Sequence, residues 1–249
     1  MKDQKQNKIY GLIGKNINYS FSKKFFNNKF EKERIKAVYT NFDIKKIEEF
    51  KNVVNKFNIC GLNVTIPYKE SIITQLDYIN PIAKEIGAVN TIKFQNNILS
   101  GYNTDYLGFY KSIENLIKPN TKALILGTGG ASKAVAYALK ILKVKYLFVS
   151  RSKKNKDYIS YSDINQEIID NHKLVINCTP IGTYPMTEQI PQIPISLIND
   201  SHIVYDLIYN PTKSLLLKKS QENGATIING YQMLENQALE SWKIWNSNH

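Results

Sequence analysis

Long apolar runs are missing from this sequence, and cysteine and histidine are scarce. No run approaches the ~20 apolar residues that a membrane-spanning helix needs, so we expect no membrane partner. With 2 cysteines and 3 histidines in 249 residues, the chain has little material for a disulfide framework or a metal site. Cys60 and Cys178 follow no metal-ligand spacing, and we expect both to be buried thiols in a reducing compartment. His172, His202 and His249 have no partners at useful spacing, so we assign them no catalytic role and predict no metal site.

Acidic residues are few relative to basic ones. The 33 lysines and arginines against 21 aspartates and glutamates give a net charge of +12, which favours anionic partners. Both nucleic acid and phosphorylated small molecules qualify, but the basic residues are spread along the chain without a nucleic-acid-binding motif. We therefore expect no nucleic acid partner. The first eight residues lack the apolar core of a signal peptide, so we expect a cytoplasmic protein.

A glycine-rich turn stands between an apolar run and a helical pattern. Residues 123–126 are typical of a strand, residues 127–132 match G-x-G-x-x-[small], and apolar residues then recur at helical spacing. Gly127 permits a tight turn, while Gly129 and Gly130 allow a ligand to approach the backbone. The helix N-terminus offers unpaired N–H groups to a pyrophosphate. Taken alone, the motif could also be an ordinary glycine-rich loop.

The next predicted strand, residues 144–149, ends in cations instead of an acidic residue. Ser150, Arg151 and Ser152 follow it, and then two lysines. An NAD site usually places Asp or Glu about 20 residues past the glycines, to bind the ribose 2′-hydroxyl. An arginine can pair with a 2′-phosphate through two hydrogen bonds, whereas a carboxylate would repel it. We therefore predict NADP(H) as the cofactor, with a solvated basic turn as the alternative.

Residues 8–64 alternate between strand and helix patterns in the order β-α-β-α-β, which predicts a parallel α/β unit ahead of the glycine loop. Strands are predicted at 8–14, 37–42 and 59–64. We expect Ser22 to cap the helix after the first strand and Asp43 to cap the helix after the second. Lys69 follows the third strand at the start of a further predicted helix, where it could be either a site residue or a solvated lysine. Asn96 and Asn97 predict a hairpin turn.

The rest of the chain continues this alternation. Helices are predicted at 79–86, 105–117, 213–222 and 231–245, and strands at 173–177, 203–206 and 226–228. Thr104 or Asp105 could cap the helix that begins at 105.

Seven motifs, in order along nearly the whole chain, resemble the shikimate dehydrogenase family. They are N-V-T-x-P-x-K at 63–69, G-A-x-N-T at 87–91, G-x-N-T-D at 101–105, the glycine loop at 127–131, N-x-T-x-x-G at 177–182, D-x-x-Y-x-P at 206–211 and G-x-x-M-L-x-x-Q at 230–237. The family's S-x-S is kept at 20–22, but Tyr19 replaces a His, Lys23 replaces a Pro, and Lys15 stands where an earlier Pro is common. The adenosine-binding stretch retains one cation, Arg151, where the family often has N-R-T and a further Arg.

The resemblance implies two α/β lobes with the active site in the cleft between them. Residues 1–104, completed by the C-terminal helix 231–249, would form a substrate-binding domain, and residues 105–230 a Rossmann-type NADP-binding domain. The implied activity is the reversible NADPH-dependent reduction of 3-dehydroshikimate to shikimate, in chorismate and aromatic amino acid biosynthesis. The implied partners are small molecules, and the enzyme would be a monomer or homodimer.

The resemblance also implies roles for individual residues. Lys69 and Asp105 would be catalytic: Lys69 would stabilise the developing alkoxide, and Asp105 would hold the ammonium and a ring hydroxyl. Lys69 fits as the group that supplies or accepts the proton, but the sequence leaves open which of the two moves it. The other implied substrate ligands are Ser20, Ser22, Thr65, Asn90, Tyr209 and Gln237. The implied cofactor ligands are Gly127, Thr128, Gly129, Gly130, Ala131, Ser150, Arg151, Ser152, Lys154, Thr179, Leu207 and Gly230. For several of these polar residues, helix capping, turn formation or an exposed helix face is the alternative role.

Four other functions are compatible with parts of the pattern. A broader quinate/shikimate dehydrogenase would share every motif, although Ser150 and Arg151 argue against NAD. A folate-type methylene dehydrogenase has a related two-lobed plan but no need for Ser20, Ser22 and Gln237. A non-catalytic ligand-sensing paralogue would keep the fold without the chemistry. A basic nucleic-acid binder would show salt-sensitive DNA binding.

Overall fold

A computed structural model describes residues 7–17, 20–152 and 155–247 of the protein. The chain divides into two compact units, which we call unit 1 (residues 1–104 and 238–249) and unit 2 (residues 105–237). Each unit contains a six-stranded sheet with helices, which confirms the predicted α/β class. In the described part of the chain, no helix is long and apolar enough to cross a membrane.

Unit 1 has a mixed sheet with the strand order β2-β1-β3-β5-β6-β4. Its strands are β1 (Lys8–Gly14), β2 (Ala37–Asp43), β3 (Ile59–Val64), β4 (Tyr78–Ile79), β5 (Thr91–Gln95) and β6 (Ile98–Tyr102). β1 pairs in parallel with β2 and β3, but β5 is antiparallel to both β3 and β6. The prediction of a parallel unit over residues 8–64 is therefore confirmed, and the sheet becomes mixed through the later strands. The predicted hairpin at Asn96 and Asn97, whose φ angles are 53° and 61°, reverses the chain and makes the sheet mixed.

Two predicted helix caps in unit 1 are wrong. The helices of this part of the chain are α1 (Phe21–Lys32), α2 (Phe50–Lys56) and α3 (Pro81–Ile86). Ser20 caps α1 by accepting a hydrogen bond from the N–H of Lys23 at 3.3 Å, while Ser22 lies inside the helix and is buried. Asp43 ends β2, and its carboxylate accepts from the N–H groups of Asn16 and Ile17 at 3.0 and 3.2 Å. Asp43 thus holds the loop after β1 instead of starting a helix.

The last helix, α8 (Tyr231–Asn246), begins in unit 2 and ends in unit 1. Trp245 is buried in unit 1 among Tyr10, Phe26 and Tyr39, and its indole N–H donates to the Ile92 carbonyl at 2.9 Å. A Cβ at Gly61 would overlap the Trp245 ring, so this strand residue has to be glycine for the helix to pack here. Trp245 therefore anchors the end of α8 in the core of unit 1.

Unit 2 has a fully parallel sheet with the order β12-β11-β10-β7-β8-β9. Its strands are β7 (Lys122–Leu126), β8 (Lys145–Ser150), β9 (Tyr158–Ser160), β10 (Leu174–Asn177), β11 (Ile203–Asp206) and β12 (Thr226–Asn229). Helices connect most of them, as in a Rossmann-type domain. The central strands β7 and β10 are apolar and almost entirely buried, as expected where helices cover both faces of a parallel sheet.

The helices of unit 2 differ from the predicted ones at their ends. They are α4 (Asp105–Ile113), α5 (Gly130–Ile141), α6 (Gln166–Asn171) and α7 (Leu215–Glu222). α4 ends four residues early because the chain tightens into a 3-10 helix at Glu114–Leu116. α7 begins at Leu215, and the Ser214 hydroxyl before it accepts from the N–H of Leu217 at 3.4 Å.

Candidate functional site

In unit 1 the residues after β3 form a turn at the carboxyl end of a parallel strand, which is where open α/β sheets bind ligands. The N–H of Thr65 donates to the Ile13 carbonyl at 2.9 Å, and the N–H of Tyr68 donates to the Thr65 carbonyl at 2.9 Å. The carbonyl of Lys69 accepts from the N–H of Val89 at 2.7 Å. The expected helix start at Lys69 is therefore wrong. The half-buried lysine stands on a turn whose backbone is tied to two neighbouring segments.

Asn90 is buried just before β5, and its amide is held by Thr104. The Thr104 N–H donates to Asn90 Oδ1 at 2.6 Å, while Asn90 Nδ2 donates to Thr104 Oγ1 at 2.9 Å. The hydroxyl and the backbone N–H of Thr104 both contact the Asn90 amide, so Thr104 fixes this side chain from two sides. A buried amide fixed in this way can offer one face to a ligand without reorganising.

Ser20 and Ser22 have different environments at the start of α1. Ser20 is half-buried at the cap position, whereas Ser22 is buried beside Tyr39. Burial raises the pKa of Tyr39 well above its usual range, and a hydrogen bond with Ser22 acts in the opposite direction. Tyr19, which replaces the family's usual histidine, lies outside the described residues.

In unit 2 the glycine loop forms a tight turn that leads into α5. Gly127 has a φ of +101°, which favours glycine, and its N–H donates to the Val149 carbonyl at 2.9 Å. Gly129 is the N-cap of α5, a helix of 12 residues. A Cβ built at Gly129 meets no heavy atom of the described chain within 4 Å, so the space in front of this helix end is open. Thr128, Gly130 and Ala131 are half-buried around it.

Thr179 is held by two buried side chains at the ends of β10 and β11. Asn177 Oδ1 accepts from the N–H and the hydroxyl of Thr179 at 3.0 and 2.7 Å. Asn177 Nδ2 in turn donates to Asp206 Oδ1 at 3.0 Å. The second oxygen of Asp206 accepts from the Ser214 hydroxyl at 2.5 Å. These hydrogen bonds tie Thr179 to the ends of β10 and β11.

Asp206 is fully buried, and burial raises the pKa of its carboxyl from 3.8 to about 6. Hydrogen bonds from Ser214, the Ile208 N–H and Asn177 oppose this effect by stabilising the ionised form. Because all these groups are internal to unit 2, Asp206 supports the neighbouring loops and does not face a ligand directly.

Leu207 and Gly230 approach each other closely after β11 and β12. The Leu207 N–H donates to the Asn177 carbonyl at 3.0 Å, and the Gly230 N–H donates to the Ile208 carbonyl at 3.1 Å. A Cβ at Gly230 would overlap the Leu207 carbonyl oxygen, so no other residue fits without moving the backbone.

The predicted 2′-phosphate site follows β8. Ser150 is buried and its hydroxyl donates to the Ser152 carbonyl, which closes a tight turn. Arg151 and Ser152 are exposed, so the guanidinium can reach an anion in solvent. Burial raises the pKa of Tyr161, and the nearby charge of Arg151 acts against it. Lys154 lies outside the described residues.

The remaining predicted substrate residues belong to unit 2. Asp105 is buried as the first residue of α4, and Tyr209 is half-buried after β11. Gln237 is buried on α8, where its Nε2 donates to the Leu234 carbonyl at 2.9 Å. Gly108 allows α4 and α8 to pack, because a Cβ there would lie 2.6 Å from the Met233 carbonyl oxygen.

The structure therefore groups the predicted residues by unit. Unit 1 holds Ser20, Ser22, Thr65, Lys69 and Asn90, and unit 2 holds Asp105, Tyr209, Gln237 and the described cofactor residues. No group of three or more His, Cys, Asp or Glu side chains within the described ranges could hold a metal ion.

Four residues that support the sites have no role assigned from the sequence. They are Asn63, Asn177, Asp206 and Ser241. The first three lie inside the family motifs at 63–69, 177–182 and 206–211, and their position in a motif is a signal for a role. Ser241 carries no such signal.

Comparison with known proteins gives consistent likenesses over nearly the whole chain. Residues 12–92 match the family model of the shikimate dehydrogenase substrate binding domain. The chain is 44% identical over 248 residues to a shikimate dehydrogenase (NADP(+)) of Clostridium botulinum, covering 94% of this chain and 95% of that protein.

Two crystal structures extend the likeness to the fold. The shikimate dehydrogenase of Aquifex aeolicus has a TM-score of 0.86 and 38% identity, covering 97% of this chain and 93% of that one. A shikimate 5-dehydrogenase of Thermus thermophilus, in complex with NADP(H) and shikimate, has a TM-score of 0.84 and 26% identity, covering 96% of this chain and 93% of that one.

Proposed function

The chain belongs to the shikimate dehydrogenase family, and on that premise we propose that it catalyses the reversible NADPH-dependent reduction of 3-dehydroshikimate to shikimate. This reaction serves chorismate and aromatic amino acid biosynthesis. The observation that carries the proposal is that the two units hold different kinds of chemical groups. Unit 1 presents hydroxyl, amide and ammonium groups at the end of β3 and around α1, and unit 2 presents an open glycine loop at the start of α5.

The residues of unit 2 fit a dinucleotide with a 2′-phosphate. The open space at Gly129 and the N-terminal end of α5 suit a pyrophosphate, because helix N-terminal N–H groups attract anions. Arg151, together with Ser150, Ser152 and Lys154, would bind the 2′-phosphate. Thr179, Leu207 and Gly230 would meet the nicotinamide end. Thr128, Gly130 and Ala131 would complete the loop.

The substrate is a carboxylate with several hydroxyls, so it needs short polar side chains. Ser20 and Ser22 would bind its carboxylate. Thr65, Asn90 and Gln237 would bind ring hydroxyls, with Tyr209 as a further contact. Asn90 supports its role because Thr104 already fixes the orientation of its amide.

The reduction requires a positive or acidic group at the ketone oxygen. The carbonyl carbon would accept a hydride from NADPH when the cofactor is bound, and negative charge would then develop on the oxygen. The Lys69 ammonium stabilises that charge and donates the proton that completes the alcohol. Asp105 binds a ring hydroxyl and orients the ring. In the reverse direction Lys69 accepts the proton of the alcohol.

We also place the enzyme in the cytoplasm as a monomer or homodimer. Size-exclusion chromatography with light scattering tests the oligomeric state, and a tetramer or larger assembly would contradict it.

The replacement Lys69→Ala tests the mechanism. We expect turnover to fall by about 10²–10⁴-fold, as for other general acid–base residues, while NADP binding and thermal stability stay close to those of the wild type. Lys84→Ala is the matched control, because Lys84 is an exposed lysine of the same unit with no proposed role. Near wild-type turnover in Lys69→Ala, or an equal loss in Lys84→Ala, would remove Lys69 from the mechanism.

A further inference from the structure

Ser241 lies at the centre of a buried hydrogen-bond network in unit 1. It is fully buried on α8, where Asn63 Nδ2 donates to its Oγ at 2.9 Å. The Ser241 Oγ also lies 2.8 Å from Thr91 Oγ1 and 3.2 Å from Thr104 Oγ1. Asn63, Thr91 and Thr104 are themselves almost completely buried. The hydroxyl of one helix residue thus contacts β3, β5 and the segment that follows β6.

Backbone groups fix the direction of the hydrogen bonds. The Thr104 N–H can only donate, so the Asn90 atom that it meets at 2.6 Å has to be the amide oxygen. The backbone carbonyl of Asn90 can only accept, so the side-chain atom of Asn63 that lies 3.3 Å from it has to be the amide nitrogen. The orientation of both amides follows from these two contacts.

The hydrogen bonds that lead from Asn63 to Asn90 through the hydroxyls of Ser241 and Thr91 also have a defined donor and acceptor. Ser241 accepts from Asn63, and it donates to Thr91 because the single hydroxyl proton of Thr91 is used on the amide oxygen of Asn90. Thr91 then donates to Asn90 Oδ1 at 3.1 Å. The start of the series is also defined, because the Tyr39 hydroxyl donates to Asn63 Oδ1 at 2.8 Å.

From this connectivity we propose that Ser241 and Thr91 are positioning residues, which hold the Asn90 amide in the orientation that binds substrate. The inference rests on the proposed function, which assigns Asn90 to a ring hydroxyl. Neither hydroxyl would touch the substrate. Their effect is to add the Thr91 hydroxyl as a donor to Asn90 Oδ1, besides the contacts that Thr104 makes with the same amide, so that rotation of the amide breaks one more hydrogen bond.

Two substitutions interrupt the series at neighbouring points. Ser241→Ala removes the hydroxyl with little change in volume, and Thr91→Val replaces a hydroxyl with a methyl group of similar size. We expect each to raise the KM for shikimate about five- to tenfold, the effect of one lost hydrogen bond. The kcat and the KM for NADP should stay within about twofold of the wild type.

The double variant distinguishes a connected series from separate effects. If Ser241 acts through Thr91, the double variant Ser241→Ala/Thr91→Val should have a KM for shikimate no higher than that of the single variant with the higher KM. Independent effects would instead multiply. Ser112→Ala is the control for general loss of stability, because the buried Ser112 hydroxyl lies 2.8 Å from the Tyr205 hydroxyl in unit 2. It should leave the KM for shikimate unchanged.

The outcomes separate this inference from the proposed function. Wild-type protein that oxidises shikimate, with an unchanged KM in Ser241→Ala and Thr91→Val, would overturn the positioning role alone. Multiplied effects in the double variant would overturn the connected series. If Ser241→Ala fails to fold, the KM of Thr91→Val decides the role of the network. Wild-type protein that does not oxidise shikimate would overturn the proposed function and this inference with it.

Discussion

Gly129→Ala should separate cofactor binding from folding. Gly129 is the N-cap of α5, with φ −80° and ψ −175°, a conformation that alanine adopts without strain. The added methyl group meets no described heavy atom within 4 Å. The protein without cofactor therefore has room for it. A pyrophosphate seated on the end of the helix would occupy the same space.

The expected magnitudes are different for stability and for binding. Alanine is a poorer N-cap than glycine, so the replacement lowers the free energy of unfolding by up to about 1 kcal/mol. The unfolded variant also has less conformational entropy to lose on folding, which offsets about half of that cost. The melting temperature should change by no more than about 3 °C. Displacing the pyrophosphate weakens hydrogen bonds to a charged group, worth about 1.5–3 kcal/mol, so the Kd for NADP should rise about ten- to hundredfold.

Two measurements on the same preparation test this reasoning. Thermal melting without cofactor reports on the fold, and calorimetric titration with NADP reports on the affinity. A variant with unchanged NADP affinity would refute the placement of the pyrophosphate at Gly129. A variant that melts far below the wild type would refute the claim that the space is open.

Two further changes probe the supports of unit 2. Gly230→Ala forces its Cβ against the Leu207 carbonyl, so we expect a loss of about 1–3 kcal/mol or more, measured by urea unfolding; wild-type stability would contradict the close approach. Asp206 has a pKa raised to about 6, so the fold binds its proton more tightly than the unfolded chain does. The contribution of the Asp206 carboxyl to the free energy of unfolding is therefore largest below about pH 4, and it falls by about 3 kcal/mol as the pH rises through 6. Asp206→Asn should lack this fall when melting is followed from pH 4 to 7, and an unchanged pH profile would show that Asp206 is not the cause.

The strands could be predicted where burial is continuous. Those at Lys8–Gly14, Ile59–Val64 and Ile203–Asp206 begin and end where the sequence pattern places them, because apolar runs bounded by polar residues define them locally. The mixed sheet of unit 1 could not be predicted in the same way. The hairpin was visible in the sequence, but the pairing of β5 with β3 is non-local.

The N-cap of α1 and the hydrogen-bond network of Ser241 depend on residues that are distant in sequence, so local sequence patterns do not predict them. Ser20 and Ser22 are equally suitable N-caps, and the packing of Ser22 against Tyr39 decides between them. Ser241 contacts residues that lie 150 and 178 positions away in the chain, so no local pattern marks it. The glycine loop, in contrast, could be recognised because its conformation depends on residues that are adjacent in sequence.

The central claim is that this chain oxidises shikimate with NADP. Absorbance at 340 nm tests it directly, with purified protein, shikimate and either NADP or NAD, and with quinate in place of shikimate. We predict reduction of the nucleotide with shikimate and NADP, and much slower reduction with NAD or with quinate. Equal rates with NAD or quinate would indicate a broader dehydrogenase, and no reduction by folded protein that binds NADP would contradict the account.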